Sequence, residues 1–259
     1  MSNLFEKFVK KLRKNSGSVI DIVKLKGIGH LIYDEDYTDR KLYTMITRLK
    51  KHKHLFSLKK DLYYIPSSHS PYDDKDKLIH TIYRPLVKKY CPKHSNRCIG
   101  GITSLDIHLS RLNPPTILTI LSPIKHATET IITNHTLYYK CISKKNPPLW
   151  DYIKSLIHPC ILGGIMFPVV CPEIALLEAL SAPPDGTDRA YLYQSVIFFL
   201  KKNWKKITTA HRSTLLHMGK YNTATNRLLH LARTVDPSRA ETIHTIIKTS
   251  GTLLPQSAL

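Results

Sequence analysis

Apolar residues at Leu4, Phe5, Phe8, Val9 and Leu12 recur at steps of three and four with lysines between them, which predicts a helix over Asn3 to Lys14. Gly17 ends it. Ser18 then stands as a cap for a second short helix, Val19 to Lys24, which would bury Ile20 and Ile22 or Val23 before Gly27 and Gly29 interrupt the pattern. A third helix is expected from Asp39 to about Lys51, capped by Thr38 or Asp39, with Leu42, Met45, Ile46 and Leu49 as its apolar stripe. Two short runs follow, Leu55 to Leu58 and Leu62 to Ile65, joined by Lys59, Lys60 and Asp61 and stopped by Pro66. They predict a hairpin with a basic turn.

An apolar stripe on the third helix also defines what lies opposite it. Arg40, Thr44, Thr47, Arg48 and Lys51 share that opposite face, with Lys41 at its border. Three helices followed by a hairpin is the order of a winged helix-turn-helix, here spanning 1–69, in which the third helix enters a major groove and the hairpin lies along the backbone. On that reading Arg40, Lys41, Thr44, Thr47, Arg48 and Lys51 are candidate DNA contacts. The threonines and arginines can reach base edges, whereas Lys59 and Lys60 in the turn can grip only phosphates.

Beyond the polar, turn-rich stretch from Ser67 to Asp74 the pattern becomes mixed. A helix is expected over Lys75 to Tyr90, with a kink or break at Pro85, and a short one within Ile99 to Arg111 after Gly100 and Gly101. Thr116 to Leu121 reads as an apolar strand, and Glu129 to Ile142 as two more around an Asn134-His135 turn. A helix near Leu149 to Ile157 leads through Gly163 and Gly164 to a strand at Ile165 to Val170. Pro172 opens an apolar helix to Leu180, and further helices follow at about 187–206, 210–218, 222–234 and 238–248. The expected class is α+β: a winged helix-turn-helix, then a second domain over 74–259 with a small sheet at about 99–170 and a helical part at 172–248.

The charge balance narrows the partners. Lys and Arg number 39 against 19 Asp and Glu, a net charge of +20, and the isoelectric point is near 9.7. Such a field attracts polyanions, and counterion release adds to the affinity for nucleic acid. Residues 1–69 carry 15 basic and 7 acidic side chains; residues 201–248 carry 10 and 2. Apolar runs are too short and too interrupted to span a membrane, so no membrane partner is expected and the chain reads as cytoplasmic. Five scattered cysteines do not make a disulfide framework. Cys91, His94 and Cys98 have the look of half a zinc site, but no second pair follows at ligand spacing, so no metal is expected.

Catalytic patterns are thin. Ser104 and His108 are one helical turn apart without an orienting third group, and Glu173 and Glu178 project from different faces of one helix. No phosphate-binding loop, dinucleotide fingerprint or HExxH string occurs, so neither an enzyme nor a cofactor is expected.

Three strings in order carry a family resemblance. They are Gly101 to His108, a glycine-led small-residue helix ending in His; Ile117 to Pro123, an apolar strand before Pro; and the Pro-Glu-x-Ala-Leu-Leu-x-Ala-Leu helix from Pro172 to Leu180. Following a winged helix-turn-helix, this order resembles the AbiEi family of antitoxins and transcriptional autoregulators of type IV toxin-antitoxin pairs. The resemblance implies a repressor of its own promoter repeats, a monomer or weak dimer on DNA. It also implies opposition to a cognate nucleotidyltransferase toxin, functional if not physical. The stretch Lys75 to Arg97 and the basic turn depart from that pattern. The alternative reading is a general basic adaptor for RNA or DNA without an antitoxin role.

Overall fold

The structure is a computed structural model that describes residues 2–67, 75–92, 96–111, 115–132, 135–142, 147–162, 164–181, 183–206, 209–218 and 221–250. It is an α+β protein with two compact units: one takes in 1–90 and 130–134, the other 91–129 and 135–259. Among the described residues no helix is long and apolar enough to cross a membrane.

The first unit opens with α1 (Ser2–Arg13), β1 (Ser18–Asp21), α2 (Ile22–Tyr33) and α3 (Asp39–Lys51), then β2 (Phe56–Lys59) and β3 (Leu62–Ile65). Its antiparallel sheet has the order β1-β3-β2, with Ser18 opposite Ile65 and Asp21 opposite Leu62. Phe8, Leu12, Leu25, Leu42, Leu49 and Leu55 fill the core beneath it.

The expected second helix at Val19 to Lys24 is corrected here. Val19 and Ile20 are β-branched, and β3 offers a free edge to which they pair, Ile20 against Tyr63. The helix starts three residues later than a Ser18 cap requires, because the Asp21 side chain accepts from Lys24 N at 3.0 Å. It then runs through both glycines. Gly29 is buried, and a Cβ there would lie 2.8 Å from the Tyr37 ring, which stacks on His30 at 3.7 Å. Gly29 therefore admits Tyr37 rather than ending the helix.

Helix α4 (Lys75–Tyr90) continues through Pro85 as one helix and belongs to the first unit, where Lys89 Nζ meets Asp21 Oδ2 at 2.6 Å. The sequence expectation set the boundary at 67–74, of which 68–74 lie outside the described residues.

In the second unit β4 (Cys98–Ile99), α5 (Gly101–His108), β5 (Ile117–Ser122) and β7 (His135–Cys141) are followed by α6 (Pro147–Ser155), β8 (Ile157–Leu162) and β9 (Ile165–Val170); β6 (Glu129–Ile132), between β5 and β7 in the chain, falls in the first unit but for Glu129. The turn expected at Asn134 and the first glycine expected at Gly163 lie outside the described residues. Within this unit the sheet order is β7-β5-β4-β9-β8; β5/β7 and β4/β9 are parallel, β4/β5 and β8/β9 antiparallel. Strand β8 was missed: the expected helix stops at Ser155, and Ile157 to Leu162 pairs with β9, Pro159 opposite Pro168. Its place at the edge of the sheet is what tolerates Pro159.

Helices α7 (Pro172–Ser181), α8 (Arg189–Asn203), α9 (Thr209–His217), α10 (Asn222–Val235) and α11 (Pro237–Thr249) complete the unit. Every residue from Glu173 to Leu180 is buried, so α7 is the centre of the larger core. Both of its glutamates are paired: Glu173 with Arg212 at 2.9 Å, and Glu178 with Lys140 at 2.7 Å and with the Tyr221 hydroxyl.

Candidate nucleic-acid interface

Helix α3 is positioned by two independent devices. Leu42, Met45, Ile46 and Leu49 are buried, which fixes its rotation about its own axis. Its start is pinned by the Thr38 side chain, which accepts from Lys41 N at 3.2 Å, and by Asp39. Asp39 accepts from Lys26 Nζ at 2.8 Å and from the Tyr37 hydroxyl at 2.7 Å. Those two hydrogen bonds, Lys26 first, hold the Asp39 carboxyl below its usual value, while burial and the bond to Asp39 push Tyr37 up to about 12. A 3-10 turn over Asp34–Asp36 links α2 to α3; of the two expected caps, Thr38 is the cap, and Asp39, the first helical residue, binds Lys26 and Tyr37 instead.

With that rotation fixed, Arg40, Lys41, Thr44, Thr47, Arg48 and Lys51 are all exposed. They are not equally available. Lys41 Nζ donates to Asp36 O at 2.9 Å and sits 3.7 Å from Asp36 Oδ1, so it is tethered to the acidic turn. The Arg48 guanidinium lies 4.3 Å above the Phe5 ring, and His52 and His54 approach the same ring at 5.3 and 5.8 Å. Stacking restricts Arg48 before any ligand arrives while leaving its donors in their plane.

Thr44 and Thr47 donate to the carbonyls of Arg40 and Tyr43, each at 2.9 Å. Their hydroxyl protons are spent on the helix, so in this rotamer each presents an acceptor oxygen and a methyl group. That combination suits an amino group or a thymine methyl on a base edge. Leu4, Tyr33, Met45 and the Arg40, Thr44 and Arg48 side chains line one groove of about 500 Å³ along this face.

The hairpin is short. Lys59 pairs with Leu62, leaving Lys60 and Asp61 as the turn; Asp61 takes a φ of 59°, and a bulge between Ser57 and Lys59 twists β2. Lys60 is exposed and Lys59 half-buried, so the tip presents Lys60 foremost. Sequence reasoning missed strand β1, the Asp36 tether and the Phe5 platform. Phe5 was legible only as one member of the α1 stripe.

Among the described residues no cluster of three His, Cys, Asp or Glu side chains could hold a metal ion. Cys91 and Cys98 are buried thiols, Cys91 pushed up to about 12 by burial and Cys98 raised by the same cause; His94 lies outside the described residues. Ser104 is buried in α5, and His108 Nε2 meets Val170 O at 2.8 Å. No protein-family model matches the chain, and no curated protein matches it at a significant level.

Proposed function

We propose that residues 1–67 form a winged helix-turn-helix that binds duplex DNA, with α3 as the reading helix and the β2–β3 turn on the backbone. One observation carries this reading. A strand between α1 and α2 completes a three-stranded sheet with the hairpin, and beside it α3 turns a wholly exposed face of two arginines, two threonines and two lysines outward. The acceptor-and-methyl disposition of Thr44 and Thr47 and the braced Arg48 favour base contact over charge contact alone.

The order of strings in the second unit adds the reading of an AbiEi-like autoregulator that represses its own promoter and opposes a nucleotidyltransferase toxin, without catalysis of its own. The rival, a general basic adaptor, draws on residues 201–248. Three of the ten cations there serve the fold: Arg212 pairs with Glu173, Arg227 donates to Leu180 O at 2.7 Å, and Arg239 contacts Asp236 at 3.2 Å. That favours the first reading.

Titration of fluorescent duplexes tests it, one from the region upstream of the gene and one scrambled. Arg48→Ala and Thr44→Val should cost the upstream duplex about five- to a hundredfold and the scrambled one far less. Lys60→Ala should weaken both equally and lower the slope of log K against log salt by about 0.9. Equal losses on both duplexes for all three variants overturn base reading by α3.

A further inference from the structure

A cavity of about 290 Å³ lies in the second unit. Ile102 from α5 and Ile117 from β5 give it apolar walls, and Asp106, Thr187, Tyr191 and Asp188, the last capping α8 through Tyr191 N at 3.0 Å, give it polar ones. Two of its polar groups are incompletely used. Asp106 accepts through Oδ1 alone, from the Tyr191 hydroxyl at 2.9 Å and Arg111 Nη1 at 3.5 Å, and among the described residues its Oδ2 has no partner. Thr187 Oγ1 is buried, and among the described residues it too has none. Buried polar atoms are nearly always satisfied, so an orphaned hydroxyl beside a half-used carboxylate in one cavity points to a ligand that brings hydrogen-bond donors.

Among the described residues no lysine or arginine lines the cavity itself, so its interior is unsuited to an anion. Beside it, however, is Arg111. It uses Nη1 on Asp106, Tyr191 and, at 2.8 Å, Ser195 Oγ, and among the described residues Nε and Nη2 are unspent; the side chain is 31% exposed. A guanidinium with two free donors is a phosphate partner.

We propose that this cavity binds a nucleotide whose base carries an exocyclic amino group, the amine donating to Asp106 Oδ2 and the phosphate meeting Arg111. The base would lie between the isoleucines and the Tyr191 ring. The site is independent of duplex binding by residues 1–67, and it serves a free nucleotide or an unpaired base in a strand equally well.

Cytidine nucleotides present an exocyclic amino donor beside an accepting N3, and uridine nucleotides a carbonyl beside an N3–H donor, so the two compare an exocyclic amine with a carbonyl at the position facing Asp106 Oδ2. Calorimetry of the full chain with CMP and UMP, and with short cytidine-only and uridine-only RNA strands, is the experiment. The amino-bearing ligands should bind at least about tenfold tighter. Asp106→Asn gives the decisive arm. The asparagine oxygen takes the Oδ1 place facing the Tyr191 and Arg111 donors, and its NH₂ replaces Oδ2, so the preference should invert toward uracil. An inversion does not depend on stability, and Thr187→Val should weaken both ligands without inverting them. Mononucleotides binding as well as the strands assigns the site to free nucleotides, and strands alone to unpaired bases. Equal affinity for cytidine and uridine ligands, displacement of the ligand by putrescine, or an unchanged preference in Asp106→Asn overturns the proposal.

Discussion

Glu173 and Arg212 form a pair whose sign can be argued and then measured. Their side chains meet at 2.9 Å and are 1% and 0% exposed. Attraction between close charges favours ionising both, while loss of hydration penalises each. The outcome turns on how well the remaining polar atoms are served. Here Glu173 Oε2 and Arg212 Nε and Nη1 lie buried with no hydrogen-bond partner among the described residues, so a single contact must offset the desolvation of two whole groups. Burial wins: it raises the Glu173 carboxyl from 4.5 to about 7 against the pull of Arg212, and it lowers Arg212.

A carboxyl that holds its proton more tightly in the folded chain than in the unfolded one stabilises most at low pH. That contribution is full below about pH 4.5 and is lost as pH rises toward 7. The climb at about 1.4 kcal/mol per pH unit amounts to about 3 kcal/mol, or roughly 6–12 °C in melting temperature for a unit of this size. Glu173→Gln mimics the protonated carboxyl. Guanidinium unfolding of both proteins at pH 4, 5, 6, 7 and 8 should therefore show near-equal stability at pH 4 and a wild type that falls about 3 kcal/mol below the variant by pH 8. Breaking a well-served buried pair has the opposite sign and costs about 3–5 kcal/mol. A variant that much weaker at pH 8, beside a wild type with no extra loss between pH 5 and 7, refutes the reasoning.

The two helical glycines of α2 should respond in opposite directions. Gly27→Ala adds a Cβ with nothing within 4 Å and should stabilise by roughly 0.5–1 kcal/mol, whereas Gly29→Ala meets Tyr37 at 2.8 Å and should destabilise by about 1–3 kcal/mol; chemical denaturation separates them. Asp36→Asn removes an exposed negative charge and its 3.7 Å ion pair with Lys41 while leaving the Lys41 bond to the Asp36 carbonyl, so duplex affinity at low salt should rise about two- to fivefold and the gain should vanish near 0.5 M salt. An unchanged affinity at low salt would mean that Lys41 does not face the DNA.

What could be read from sequence follows the range over which each feature is determined. The face of α3 was legible because Leu42, Met45, Ile46 and Leu49 set it within four turns, and the exposed side is simply what remains. Strand β1 was not: Val19 to Val23 is a short apolar run compatible with either period, and its partner β3 lies forty residues on. Gly29 looked like a helix breaker because the ring that requires it, Tyr37, arrives from the next turn. The pairing of Asp106 with Tyr191 spans 85 residues, and that of Glu173 with Arg212 joins two helices separated by α8. Neither leaves a local trace, since a carboxylate on an apolar helix reads the same whether it caps, pairs or binds. A surface opposite a core stripe can thus be inferred from periodicity. A cavity assembled from α5, β5 and the approach to α8 emerges only when the chain is folded, so the two candidate sites of this protein differ in legibility for a physical reason.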